Sequence, residues 1–136
     1  MFSNRGGCYF FGHLSATTCM WQTIDLNGRI NFTAVDAQSI RYNLSAWIGG
    51  HKDQEDSAIV TITFFNSDNR IAVGNDTSIG PVSKTDRGSV SKLLHRQAGG
   101  IVPASTRSIL IFVTFNRRGG NVNNGYVDNI ALYLYQ

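Results

Sequence analysis

The chain has 136 residues, of which 42% are hydrophobic, 11% aromatic and 15% charged, and its formal net charge is +3. That length fits a single domain, residues 1–136, with a real buried core, and low charge with plentiful apolar residues excludes a disordered chain. Lys and Arg are dispersed, Arg117-Arg118 being only a pair, so nothing tracks a phosphate backbone and nucleic acid is not an expected partner.

In chain order, Met1-Phe2-Ser3-Asn4-Arg5 lacks the apolar core of a signal peptide. A secreted protein would have lost its signal, so this does not assign the chain to the cytosol. The first strand candidate is Cys8–Phe11 and the second Met20–Leu26. Cys8 and Cys19, the only cysteines, flank the short loop between them. A disulfide there would close a loop of about ten residues and stabilise by roughly 2–3 kcal/mol in the chain-entropy model. The alternative is two buried thiols acting as small hydrophobes. A zinc site needs more ligands than these two, even with His13 between them.

A two-residue period then dominates. Ile40, Tyr42, Leu44, Ala46 and Ile48 alternate with Arg41, Asn43, Ser45 and Trp47. Ala58, Val60, Ile62 and Phe64 form a second inward set, Ile109, Ile111, Val113 and Phe115 a third, and Ile130, Leu132 and Leu134 a fourth. Shorter strand candidates are Arg70–Val73 and Val90–Arg96, and Asn66-Ser67-Asp68-Asn69 and Gly119-Gly120-Asn121 read as turns. No segment carries a helical pattern. The longest apolar run, Ile109–Val113, is far short of the roughly 20 residues of a membrane-spanning helix, so membrane insertion is not expected. Eight or so short strands predict an all-β fold, an antiparallel β-sandwich of jelly-roll type. Trp47, Ile59, Phe65, Leu110, Phe112, Tyr133 and Tyr135 fall on outward positions. They lie either under long loops or in an apolar patch that a partner covers.

Asn31-Phe32-Thr33, Asn43-Leu44-Ser45 and Asn75-Asp76-Thr77 are N-glycosylation sequons. Together with the possible disulfide they point to an extracellular or cell-surface glycoprotein.

Ser45-Ala46-Trp47-Ile48-Gly49-Gly50, Gln54-Glu55-Asp56-Ser57-Ala58, Gly80-Pro81-Val82, Asp86-Arg87, Val102-Pro103-Ala104-Ser105-Thr106-Arg107 and Asn124-Gly125-Tyr126-Val127-Asp128-Asn129 follow one another in order. Over residues 7 to 136 this series resembles the galactose-binding-like jelly-roll module shared by carbohydrate-binding modules and the sugar-binding domain of F-box proteins. The resemblance implies glycan binding by analogy of fold. It also implies one structural Ca²⁺, with Asp128 as its ligand by resemblance; the alternative is that Asp128 caps a turn before the last strand. Such modules begin with a further N-terminal strand, and this chain opens directly at Gly6-Gly7-Cys8-Tyr9. The expectation is a fragment, or a missing strand supplied by a neighbouring chain, as in a homo-oligomer or fibre.

Three aromatic–polar groupings suit a sugar: Trp21 with Gln22, Trp47 with His51, and Tyr126 with Asn123 and Asn124. Rings stack on a pyranose face while amides take its hydroxyls. The selected ligand-binding residues are Trp47, His51, Arg117, Asn124 and Tyr126. Asp53, Glu55 and Asp56 could hold a cation but lack the spacing of a calcium loop, and Asp86 is expected to pair with Arg87 behind Pro81. For catalysis, His13, His51 and His95 sit in unrelated contexts and no nucleophile elbow, zinc-protease motif or phosphate loop occurs. A glycosidase pair such as Asp25 and Asp36 depends on a separation the sequence does not show. The expected function is a non-catalytic, extracellular glycan-binding module, lectin-like or accessory to a larger protein. The alternatives are a fibre subunit assembled through sheet edges and an adhesion module for protein ligands.

Overall fold

In Arg41–Gly50 and Ser57–Phe65 every second side chain is apolar, and in the computed structural model, which describes residues 9–67 and 71–136, every second one is buried. The elements are β1 (Phe10–His13), β2 (Thr17–Asp25), α1 (Phe32–Asp36), β3 (Arg41–Gly50), β4 (Ser57–Phe65), β5 (Thr77–Ile79), β6 (Lys92–Ile101), β7 (Ser108–Asn116) and β8 (Asn123–Tyr135). They form two antiparallel sheets, sheet A in the order β1-β8-β3-β6 and sheet B in the order β2-β7-β4-β5. Apart from the β4–β5 step, every connection between consecutive strands crosses from one sheet to the other, which is jelly-roll connectivity. The all-β antiparallel sandwich is the architecture the alternation predicts.

The core lies between the sheets. Leu44, Ala46 and Ile48 of β3, Val60, Ile62 and Phe64 of β4, Ile109 and Val113 of β7 and Val127 of β8 are buried there. Each fully buried large apolar side chain contributes about 1.5–3 kcal/mol relative to exposure. Ile130, Leu132 and Leu134 are half-buried but pack on the same cluster. The sheets approach closely at Gly125, where an added Cβ would sit 2.2 Å from the Ser57 carbonyl oxygen.

Several boundaries differ from expectation. β8 starts at Asn123 rather than Ile130, because a bulge at Asn129 (φ 51°) lets the strand continue through polar residues. Asp128 therefore lies within a strand and does not cap a turn before it. The segment expected as Arg70–Val73 contributes, among the described residues, one isolated bridge between Phe65 and Ala72, and β5 was not foreseen. α1 was also not foreseen, since five residues are too few to show a helical period. Its cause is local: Asn31 Oδ1 accepts hydrogen bonds from the Thr33 and Ala34 amides, Val35 is buried, and Gln38 at φ 57° turns the chain away. Asp36 then accepts two bonds from Arg107 at 2.9 and 2.7 Å, and the Arg107 guanidinium stacks 4.3 Å above the Phe32 ring, fastening α1 to the segment before β7.

The outward apolar residues do not form one patch. Trp47, Tyr133 and Tyr135 face out from sheet A, whereas Ile59, Phe65, Leu110 and Phe112 face out from sheet B.

Candidate functional site

Four of the five selected residues meet at one end of the outer face of sheet A. Trp47 on β3 is flanked in register by His95 on β6 and Asp128 on β8, with the His95 ring 5.3 Å away and edge-on. Tyr126 pairs with Gly49, two residues along from Trp47, so the two rings are diagonal neighbours on the same side. Asn124, two residues before Tyr126, shares that side; its Oδ1 accepts from the Tyr126 hydroxyl at 3.3 Å and its Nδ2 donates to Gln54 Oε1 at 2.9 Å. His51 follows the end of β3, its Nδ1 3.0 Å from the Ser91 hydroxyl.

Tyr126 is only 9% exposed because Tyr9 lies over it, ring centroids 4.5 Å apart. Burial, reinforced by the hydroxyl contact with Tyr9, pushes the Tyr126 phenol up to about 12. Tyr9 in turn meets Phe11, and Phe11 meets His13, so an aromatic row runs along β1.

Register across the sheet extends this face with residues that were not selected. Asn43 lies between Gly99 of β6 and Tyr133 of β8, and Ser45 lies between Gln97 and Ala131. The small side chains of Ser45, Ala131 and Gly99 make a low floor. On one side of it stand Trp47 and His95, and on the other Tyr133, 65% exposed. Gln97 and Asn43 supply amides along the floor. The signal that could have found them is strand pairing, which one sequence does not contain.

The fifth residue, Arg117, is placed elsewhere. It follows β7 of sheet B, where its backbone N–H donates to Ala16 O and its Nη1 donates to Leu14 O at 3.1 Å and to Asn121 O at 3.3 Å. It fastens the β1–β2 turn. The Trp21–Gln22 grouping is also split. Adjacent strand residues face opposite ways, so Trp21 stacks with Phe112 outside sheet B while Gln22 turns towards the space between the sheets.

The loops at the aromatic end rest on two buried charges. Asp56 is fully buried and accepts backbone N–H bonds from Arg118, Gly119 and Asn124, so it is a structural acceptor and not part of a cation cluster with Asp53 and Glu55, which are exposed. Arg87 is fully buried and donates to the carbonyl oxygens of Val82, Val90, Lys52 and Gln54. The expected Asp86–Arg87 pair is therefore not formed. Asp86 instead exchanges bonds with Ser83, accepting from its amide and donating its own amide to the Ser83 hydroxyl, and lies 3.9 Å from Arg96. The Ser83 bonds hold the Asp86 carboxyl below the usual carboxylate range.

Asp128 Oδ1 accepts from the Asn129 amide at 2.8 Å, and Oδ2 is buried without a hydrogen-bond partner among the described residues. Calcium takes roughly six to eight oxygen ligands. Asp128 brings one carboxylate, and among the described residues no three His, Cys, Asp or Glu side chains lie together. Cys19 is exposed and bonded to no cysteine among the described residues, and the Cys8 end of the expected disulfide lies outside them. Asn31 and Asn75 are exposed, whereas Asn43 is half-buried in the floor of the aromatic face.

Among the described residues no helix is long and apolar enough to cross a membrane. No protein-family profile matches the sequence, and no curated protein is similar to it. Solved structures are similar in fold. The enzymatically active domain of tailspike protein 4 of bacteriophage CBA120 superposes with a TM-score of 0.57 at 15% identity, over 90% of this chain and 14% of that one. A family 16 carbohydrate-binding module gives a TM-score of 0.56 at 20% identity, over 92% of this chain and 75% of that one. The carbohydrate-binding module TmCBM61, solved in complex with β-1,4-galactotriose, gives 0.50 at 16% identity, over 92% and 68%. This chain thus spans about one seventh of the phage chain's length and most of the two modules. At these identities the likeness is one of fold: a β-sandwich of the carbohydrate-binding-module kind.

Proposed function

We propose that the outer face of sheet A binds a glycan and that the chain is a non-catalytic, extracellular carbohydrate-binding module of galactose-binding-like type. One observation carries the reading. A single sheet face sets the rings of Trp47, His95 and Tyr133 around a floor of small residues, with the amides of Asn43 and Gln97 beside them. Rings cover the apolar face of a pyranose and amides take its hydroxyls, so the arrangement has the two chemistries a sugar presents. The fold shared with carbohydrate-binding modules supports the same reading. A binding rather than a hydrolytic role is supported by the carboxylates: Asp36 has both oxygens on Arg107, and Asp25 accepts from the amide of its own neighbour Asn27.

A glycan attached at Asn43 would stand on the floor and cover it, so the binding form of the protein carries Asn43 unmodified, while Asn31 and Asn75 lie off this face.

The test is a glycan array followed by calorimetry with the best oligosaccharide. Tyr133→Ala, at an exposed position, is expected to weaken binding about tenfold, the equivalent of about 1.4 kcal/mol, without changing the melting temperature. A silent array, or wild-type affinity in both Tyr133→Ala and Trp47→Ala, would remove the reading.

A further inference from the structure

Each sheet ends in two edge strands, and the four edges are protected differently. β1 is four residues long, with a register break between Phe11 and His13, and β5 is three residues long. β6 has ten residues but carries Lys92, His95, Arg96 and the Gly99-Gly100 pair. Shortness, bulges and charge all keep an edge from pairing with another chain. β2 has none of these. Its nine residues pair with β7 without a break and include no Lys, Arg, Pro or Gly, the one charge being the terminal Asp25. Among the described residues no strand pairs with its other edge.

The direction of its free groups follows from two hydrogen bonds. Leu26 N donates to Arg107 O, and Ala16 O accepts from Arg117 N. Even-numbered residues thus turn their backbone groups towards β7. By antiparallel alternation, Thr17, Cys19, Trp21, Thr23 and Asp25 turn their N–H and C=O groups towards the open side. Exposed apolar side chains flank that side: Phe10 is 54%, Leu14 62% and Trp21 66% exposed. A cavity of about 440 Å³, lined by Phe10, Met20, Trp21, Ile111 and Ile130 among others, opens between the sheets beside them.

We infer that this edge pairs with β2 of a second copy of the chain, antiparallel about a two-fold axis at Trp21. In that register all nine residues find a partner: Thr17 faces the second copy's Asp25, Cys19 its Thr23, and Trp21 its Trp21. Every outward N–H and C=O then meets its complement. No like charges stand opposite one another. The strand's one charge, Asp25, faces the uncharged Thr17 at each end. A fibre needs two different edges that complement each other, and the other three edges are guarded. The same edge used on both copies closes the assembly as a dimer. A two-fold axis perpendicular to the joined sheet leaves sheet A of both copies on the same side. On the glycan reading, which this last consequence rests on, two binding faces then point one way and gain avidity on a multivalent surface.

Sedimentation of the full chain tests the pairing. The expected result is a two-chain species for the wild type. Thr23→Pro removes only an outward N–H, which an edge strand tolerates, so it is expected to sediment as one chain with an unchanged circular-dichroism spectrum. Independently, Trp21→Cys combined with Cys8→Ser and Cys19→Ser is expected to form a disulfide-linked dimer in air, because residues opposed in a hydrogen-bonded pair lie about 5.5 Å apart at Cα. A one-chain mass for the wild type at every concentration, filaments that grow with concentration, or absence of the cross-link would overturn the inference. Affinity for a single soluble oligosaccharide is expected to be equal in wild type and Thr23→Pro; its absence in both would sink the glycan reading while leaving the dimer standing.

Discussion

On the outer face of sheet A, Trp47, His95 and Tyr133 stand among amides above a floor of Ser45, Ala131 and Gly99. On the outer face of sheet B, Trp21 and Phe112 stack with ring centroids 6.3 Å apart, beside Ile59, Leu110 and rows of threonine, with Thr61 and Ser78 hydroxyls bonded to each other. Both faces come from the same two-residue period, and both display a tryptophan. They differ in what surrounds the ring. In sheet A the neighbours across strands are hydrogen-bonding groups free of the core, at an end where loops are anchored by buried charges. In sheet B the neighbours are the Phe112 ring and aliphatic or hydroxyl groups, and the tryptophan sits on an edge strand rather than a central one. A ring on a central strand with amides beside it suits a soluble ligand, and a ring on an unguarded edge suits another strand.

The largest expected effect tests the anchoring beneath the sheet A face. Arg87→Met leaves four carbonyl oxygens without their donor and is expected to cost on the order of 3–5 kcal/mol, read as a lowered denaturant midpoint. Asp56→Ala strips three backbone amides of their acceptor and is expected to cost about 2–3 kcal/mol in the same measurement. If either variant melted like the wild type, the loop end would not be what distinguishes the two faces.

A crossed pair of substitutions separates the faces directly. Trp47→Ala is expected to weaken glycan binding about tenfold and leave the sedimenting mass unchanged, while Thr23→Pro does the reverse. Both activities lost in one variant would merge the two faces into one site.

Smaller effects come from pH. Arg107, then the Ser105 amide, hold the Asp36 carboxyl below the usual carboxylate range. A depressed folded-state value means that Asp36 contributes stability above its unfolded pKa of about 3.9, and that this is lost as pH falls through the lower folded value. Acid titration of stability is therefore expected to be shallower in Asp36→Asn. At the alkaline end the sign is opposite. The Tyr126 phenol, raised to about 12, favours the folded state below an unfolded pKa of about 10, and this is lost as pH climbs from there through 12. Ultraviolet titration is expected to show one phenol ionising near pH 12 that disappears in Tyr126→Phe.

Particular residues show how far the sequence could be read. The inward sets of β3, β4 and β7 were legible because alternation is a property of a single strand, and all of Ile40, Tyr42, Leu44, Ala46 and Ile48 are buried. β8 was legible only from Ile130, because Asn123, Asn124 and Asp128 look like a turn when their pairing with β3 is unknown. α1 was hidden by its length. Trp47, His51, Asn124 and Tyr126 were selected from their residue types and lie at one end of the sheet A face, whereas His95, Gln97 and Tyr133, which share that face, were not selected. Arg87 was misassigned to Asp86, its chain neighbour, since nothing local reveals that its guanidinium reaches the carbonyls of Lys52 and Gln54.

The sequence by itself determined that this is an antiparallel sandwich and which side of each strand meets the core, because successive Cβ atoms on a strand point to opposite sides whatever lies beside it. Only the tertiary structure decided which outward residues share a face and which long edge has no partner strand among the described residues. Those depend on strand order and register, set by residues far apart in the chain whose hydrogen bonds look alike from every position along it. Trp47 and Trp21 are both outward tryptophans on alternating strands; the strands beside them, β6 and β8 for one and, among the described residues, β7 alone for the other, give them different surroundings.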